Sequence, residues 1–177
     1  MDVNALLGVR ESYQAPGVLM GIIMDPQRLM GLAAKYCAEQ PDLSRERFRE
    51  YFMDQQSDRK GDKQDYTPDS IGDLITGIVG KRQRVLDIAG GIGGLTIHQW
   101  SQHHDGEYVV EEISSASLPF LLFNLFVRQI HAKVIHGDSL RRVAKDIYVI
   151  ENDRIVKLNH TDAALAQYDL RGWVDEL

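Results

Sequence analysis

Apolar positions along this chain change their period near residue 80. Before it they recur at helical spacing: Val18, Leu19, Ile22 and Ile23, then Leu29, Met30, Leu32, Ala33, Tyr36 and Cys37. Asp25-Pro26 predicts the start of the second helix, with Asp as N-cap and Pro in the first turn. Ser44 predicts another N-cap, followed by a helix over 45–53 whose Phe48, Tyr51 and Phe52 form an aromatic face. Residues 54–65 are polar and read as a loop. Thr67, as cap, and Pro68, in the first turn, open a helix with Ile71, Leu74, Ile75 and Ile78 as its apolar stripe and Gly80 as its end. Beyond it, short apolar runs alternate with helical stretches. A strand over 84–86 precedes a glycine-rich turn and a helix ending near Gly106; a strand over 108–113 precedes an apolar helix over 117–132 and a strand over 133–140. From Asp146 the pattern changes again. The runs 147–150 and 154–158, around Glu151-Asn152-Asp153, read as a β-hairpin, and residues 159–162 cap a last helix.

This order predicts an α/β fold: a Rossmann-like, three-layer arrangement with a mostly parallel sheet, a helical N-terminal extension and a C-terminal β-hairpin. Residues 1–65 read as a helical N-terminal region with a polar linker, and 66–177 as the α/β domain. Of the 177 residues 44% are hydrophobic, enough for a sizeable core, and the net charge of −6 argues against a generic polyanion binder. Arg45, Arg47 and Arg49 are interleaved with Glu46 and Glu50, which dilutes the most basic stretch. The single cysteine, Cys37, excludes a disulfide within the chain and points to a reducing cytoplasm. No apolar run reaches membrane-spanning length and no signal-peptide pattern opens the chain, so no membrane partner is expected. The six histidines lack metal-ligand spacing and read as surface or capping residues, so no metal is expected.

The chemistry concentrates at the predicted strand ends. Residues 87–94 read Asp-Ile-Ala-Gly-Gly-Ile-Gly-Gly, between a strand and a helix start. Glycine admits positive φ and lets a ligand lie against the backbone, while the helix that follows presents unpaired N–H groups. That pattern points to a nucleotide-type cofactor. Glu111 and Glu112 close the next strand about twenty residues later, the spacing at which a carboxylate meets a ribose diol. They alternate in direction, so only one can face the turn. Asp138 is a carboxylate at the end of the third strand. Three βα units with ligand-type residues at three strand ends strengthen the cofactor reading.

Together these stretches resemble the S-adenosylmethionine-binding half of adenine-N6 DNA methyltransferases, in particular the modification subunit of type I restriction-modification systems. Tyr66-Thr67-Pro68 is similar to the family signature that packs beside the methionine end of the cofactor. Residues 87–94 resemble its Asp-Pro-Ala-Cys-Gly-Thr-Gly-Gly motif, with Asp87, Ala89, Gly91, Gly93 and Gly94 in matching places and Ile88, Gly90 and Ile92 in place of Pro, Cys and Thr. Glu112-Ile113 looks like the acid-plus-aliphatic pair whose carboxylate binds the ribose. Asn124-Leu125 also fits. Gly137-Asp138-Ser139-Leu140 resembles the motif whose Asp meets the adenine amino group, which would lie between Asp138 and Ile113. The resemblance implies S-adenosylmethionine as cofactor, held by Tyr66, Thr67, Pro68, Asp87, Ala89, Gly91, Gly93, Glu112, Ile113, Asp138 and Ser139. It also implies DNA, other restriction-modification subunits or a second copy as partners.

The catalytic tetrapeptide of that family, Asn/Asp-Pro-Pro-Tyr/Phe, does not occur in this chain. Its Asn and aromatic ring hold a flipped target base. Asn152-Asp153-Arg154-Ile155 stands near the corresponding place, and only Asn152 matches it. The implied function is therefore S-adenosylmethionine binding with a degenerate catalytic motif. Two alternatives stay open: a non-catalytic regulatory, decoy or remnant partner of a restriction-modification system, and a methyltransferase for a non-DNA substrate.

Overall fold

A computed structural model describes residues 1–55, 67–151 and 153–159. The N-terminal region forms helices α1 (Val3–Leu7), α2 (Ala15–Ile23), α3 (Pro26–Glu39) and α4 (Arg49–Gln55), with a 3-10 turn at Ser12–Gln14. The Asp25 cap forms as its sequence predicts: Oδ1 accepts from the backbone N–H groups of Gln27 (3.1 Å) and Arg28 (3.2 Å), with Pro26 in the first turn. The expected start at Ser44 does not form. Asp42 Oδ1 instead accepts from both the backbone N–H (2.9 Å) and the hydroxyl (2.6 Å) of Ser44, a local turn that competes with helix, and α4 begins at Arg49.

Helix α5 (Asp69–Val79) has Pro68, not Thr67, at its N-cap, with no side-chain capping bond. Then follow β1 (Arg84–Asp87), α6 (Gly94–Gln102), β2 (Glu107–Glu112), α7 (Ser117–Val127), β3 (Ala132–Asp138), β4 (Val143–Glu151) and β5 (Arg154–Lys157). They build one five-stranded mixed sheet in the order β1-β2-β3-β4-β5. The β1–β2 and β2–β3 pairs are parallel, the β3–β4 and β4–β5 pairs antiparallel. The fold is thus α/β with a partly parallel sheet. Two βα units precede the third strand, not three: β3 turns directly into β4 through residues 139–142, where Arg142 takes φ +54°.

Right-handed crossovers between strands laid down in the order 1-2-3 carry both helices to the same face of a sheet. Leu121 of α7 and Ile97 of α6 accordingly meet beside Gly93. On that face Tyr108, Val110, Val134, Tyr148 and Ile150 join a core shared with α1–α4 and α7. Every residue of α7 is buried, because it lies between the sheet and the N-terminal helices. The layers therefore run sheet, α7, N-terminal helices. Tyr36, Phe48, Phe120 and Phe123 interlock at the junction, with ring centroids 5.3–6.0 Å apart. The opposite sheet face carries a small cluster of Val109, Ile135 and Ile147, packed by Ala144 and Leu158.

The apolar stripe of α5 faces outward. Ile71 (43%), Leu74 (56%), Ile75 (38%) and Ile78 (75%) are exposed, whereas Gly72 and Thr76 are buried. The cause is His98 of α6: a Cβ on Gly72 would lie 2.8 Å from its ring, so only the small-residue side of α5 admits the contact. Of the predicted loop 54–65, residues 54 and 55 belong instead to the end of α4, and residues 56–65, Tyr66, Asn152 and the last helix fall outside the described residues.

Candidate functional site at the glycine turn

Strand β1 delivers Asp87 to the carboxyl edge of the sheet, where the chain turns back into α6 through residues 88–93. Gly91 (φ +58°) and Gly93 (φ +96°) take the left-handed conformation that side chains resist. Gly90 is required for space instead: a Cβ there would sit 2.2 Å from Val110 Cγ1 on the adjacent strand. The turn is anchored to β2 by the Gly90 N–H donating to Glu111 O (2.9 Å).

Two acids fix the loop. Asp87 accepts from the Thr96 hydroxyl (2.9 Å) and the Ala89 N–H (3.3 Å), which ties the strand end to the first turn of α6. Glu112 accepts from the Gly91 N–H (2.7 Å) and the Ser114 N–H (2.6 Å), bridging the turns after β1 and β2. Strand alternation sends Glu112 toward α6 and α7, and Glu111 points away with Val109. Burial raises both carboxyls above their usual range; hydrogen bonds oppose it, and the Asp87 charge lifts Glu112 further. Asn124, fully buried on α7, donates to Ile92 O (2.8 Å) and to Glu46 Oε1 (3.1 Å).

Asp87, Gly90, Gly91, Ile92, Glu112 and Glu46 line a cavity of about 690 Å³. Of the site residues expected from sequence, Thr67, Asp87, Ala89, Gly91, Glu112 and Ile113 line it together. Gly93 sits within the same turn, on its α7 side against Leu121, and Pro68 caps α5 beside Thr67; neither is on the wall. Asp138 and Ser139 stand at the start of the β3–β4 turn, outside the cavity lining. The Asp138 carboxylate accepts from the backbone N–H of Arg141 (3.0 Å) and serves that turn. Tyr66 and Asn152 are outside the described residues. Flanking Asn152, Glu151 pairs with Arg154 next to the Ile150–Ala132 pair, at the amino edge of β3 and so at the other end of the strands from the glycine turn.

The N-terminal region supplies wall residues that sequence reasoning missed. Glu46 and Arg49 both line the cavity. Arg49 donates to Thr67 O (2.8 Å) and pairs with Asp69 (2.8 Å). Arg45 pairs with Asp73 (3.1 Å) and contacts buried His98. Beneath them Arg128, buried at the C-cap of α7, donates to Leu43 O (2.8 Å), Arg45 O (2.7 Å), Asn124 O (2.8 Å) and Asn124 Oδ1 (3.0 Å). The sequence signal for this clamp was the polar pair Asn124 and Arg128, one helical turn apart in an otherwise apolar helix. His98 and His136 are buried, not at the surface. His136, whose pKa burial lowers, lies behind the cavity with Nε2 3.3 Å from Ser115 Oγ. Among the described residues no group of acids, His and Cys could hold a metal, and no helix is long and apolar enough to cross a membrane.

Comparison with family models, with curated proteins and with solved structures finds no match to this chain.

Proposed function

We propose that this chain binds S-adenosylmethionine at the glycine turn, in a Rossmann-like methyltransferase arrangement that lacks the base-flipping loop of adenine-N6 DNA methyltransferases. One observation carries the reading. The Glu112 carboxylate grips the Gly91 N–H from across the strand boundary, with a cavity open beside both. A cavity of about 690 Å³ falls in the size range of small-molecule sites, roughly 300–1,000 Å³. Its donors and acceptors suit an adenosyl group: backbone N–H groups at the turn and two carboxylates, buried Glu112 and half-buried Asp87, with lone pairs to spare for hydroxyls. The glycine backbone leaves room for close approach, and Ile113, 56% exposed at the rim, offers an apolar face to a base.

The reading is binding rather than transfer. Asn152 is followed by Asp153-Arg154-Ile155 in place of the proline pair and aromatic ring, and its described neighbours belong to the far edge of the sheet. A regulatory or remnant partner of a restriction-modification system fits this chemistry. Calorimetry with S-adenosylhomocysteine tests it: saturable binding to the native chain, lost in Glu112→Ala, is the expected result. No heat at millimolar ligand refutes it. Labelled methyl transfer to DNA would replace it with the catalytic reading.

A further inference from the structure

Glu46 and Arg49 are opposite charges on one wall of the cavity, and neither belongs to the glycine turn or the strand ends. Glu46 is held by one oxygen only. Its Oε1 accepts from the Phe48 N–H and from Asn124 Nδ2, whereas Oε2, closed off from bulk water, finds no donor among the described residues. Buried carboxylate oxygens are normally satisfied, and an unpaired one on a residue that lines the cavity points to a missing donor. Arg128 is nearby, but its guanidinium is committed to the carbonyls of Leu43, Arg45 and Asn124 and to Asn124 Oδ1. Arg49 uses NH2 for both Thr67 O and Asp69, leaving its other N–H groups for an acceptor. A ligand serving both side chains carries a cation and an anion a few bonds apart.

We infer that Glu46 and Arg49 receive the amino-acid end of the bound ligand, Glu46 taking the α-ammonium and Arg49 the α-carboxylate. This rests on the adenosyl reading of the same cavity and adds which residues discriminate an adenosyl amino acid from a plain adenosyl thioether. A guanidinium matches a carboxylate in a planar fork, and an ammonium brings three donors to an oxygen that has none. The amino-acid end then lies against the N-terminal region, and the adenosyl end against Glu112 and Ile113.

Titration of two ligands into the native chain and into Glu46→Gln tests the assignment. S-adenosylhomocysteine carries the zwitterion; 5′-methylthioadenosine is the same adenosyl thioether without it. The native chain should bind the first more tightly by roughly tenfold to a hundredfold, the range for a lost charge-assisted hydrogen bond. Glu46→Gln keeps an acceptor for Phe48 and Asn124, should shrink that preference toward unity, and should leave the methylthioadenosine affinity unchanged. Equal affinity of the native chain for the two ligands overturns the inference and leaves the adenosyl reading standing. So does an equal loss for both in the variant, which would mark Glu46 as structural. Failure of both ligands to bind the native chain overturns both readings.

Discussion

Gly90→Ala probes the glycine turn where its sequence departs from the family motif it resembles. The added Cβ would fall 2.2 Å from Val110 Cγ1, against a normal carbon contact of about 3.5–4.0 Å. Val110 is fully buried on β2, paired with Asp87 on one side and Val134 on the other, so its backbone cannot withdraw. Leu121 Cδ2, 3.7 Å from the same point, closes the remaining side. Overpacking of this kind costs about 1–3 kcal/mol. For a chain of this length that is a fall in Tm of about 2–12 °C, at roughly 2–4 °C per kcal/mol. Val110→Ala alone should cost about 1–3 kcal/mol through lost methyl burial and the cavity left behind. It also removes the clashing atom, so the double variant should be no less stable than Val110→Ala alone. The cycle then yields a favourable coupling of about 1–3 kcal/mol, measurable by urea unfolding of the four proteins. S-adenosylhomocysteine affinity should fall with Gly90→Ala and recover in the double variant, because the clash displaces the adjoining Gly91 N–H from Glu112. Additive costs would show that the turn yields freely and that Val110 does not set its position.

Arg128→Met should cost at least about 3 kcal/mol in unfolding experiments, since it strips a charged donor from buried carbonyls and frees the segment of residues 43–45 from α7. Stability should fall as pH rises from about 4.5. Burial raises the carboxyls of Glu46, Asp87 and Glu112 in the folded state, so their favourable contribution is complete below the ordinary value and is lost as pH climbs through the raised one. Glu46→Gln should flatten that slope in urea titrations across pH. Asp146 acts in the opposite sense: its hydrogen bond from Lys157 lowers its pKa, so its contribution is lost as pH falls below 3.8, and Lys157→Met should remove it. Ile78→Gln should change stability by less than about 0.5 kcal/mol, as its side chain is 75% exposed; a larger loss would mean that something covers α5.

Features set within one turn of chain were legible in the sequence. The Asp25 cap, the positive φ in the glycine turn and the fact that only one of Glu111 and Glu112 can face that turn each depend on neighbours or on strand alternation. Features set by partners were not. The period of α5 correctly predicts a helix with an apolar side, but which side packs was decided by Gly72 against His98, twenty-six positions apart (98 minus 72). Local pattern likewise gave strands at 133–140 and 147–150 but not their direction. A tight turn at Arg142 makes β4 antiparallel, which commits Asp138 to that turn and carries the segment around Glu151 and Asp153 to the opposite edge. Glu46 was hidden by its arginine neighbours: an acid between Arg45 and Arg47 reads as a solvated surface, and the bond from Asn124 with the buried Oε2 reveals that it turns inward.

The strand order explains why an N-terminal carboxylate lies beside the glycine turn at all. In open α/β sheets a crevice arises where strand order reverses, since the connections on either side then leave for opposite faces. The order β1-β2-β3 has no reversal, and among the described residues no strand pairs with the outer side of β1. The side of the cavity that a neighbouring strand would close is walled by Glu46, Arg49 and Thr67. Arg128 holds that wall against α7 from below, and Arg49 staples it to the start of α5 from above. The glycine turn supplies backbone donors of no fixed charge preference beyond that of any helix start. On the adenosyl reading proposed above, the charge of the wall is what would select a ligand there. A deletion that removed the N-terminal region would therefore open the cavity and strip its Glu46 and Arg49 wall together, rather than leave the cavity intact.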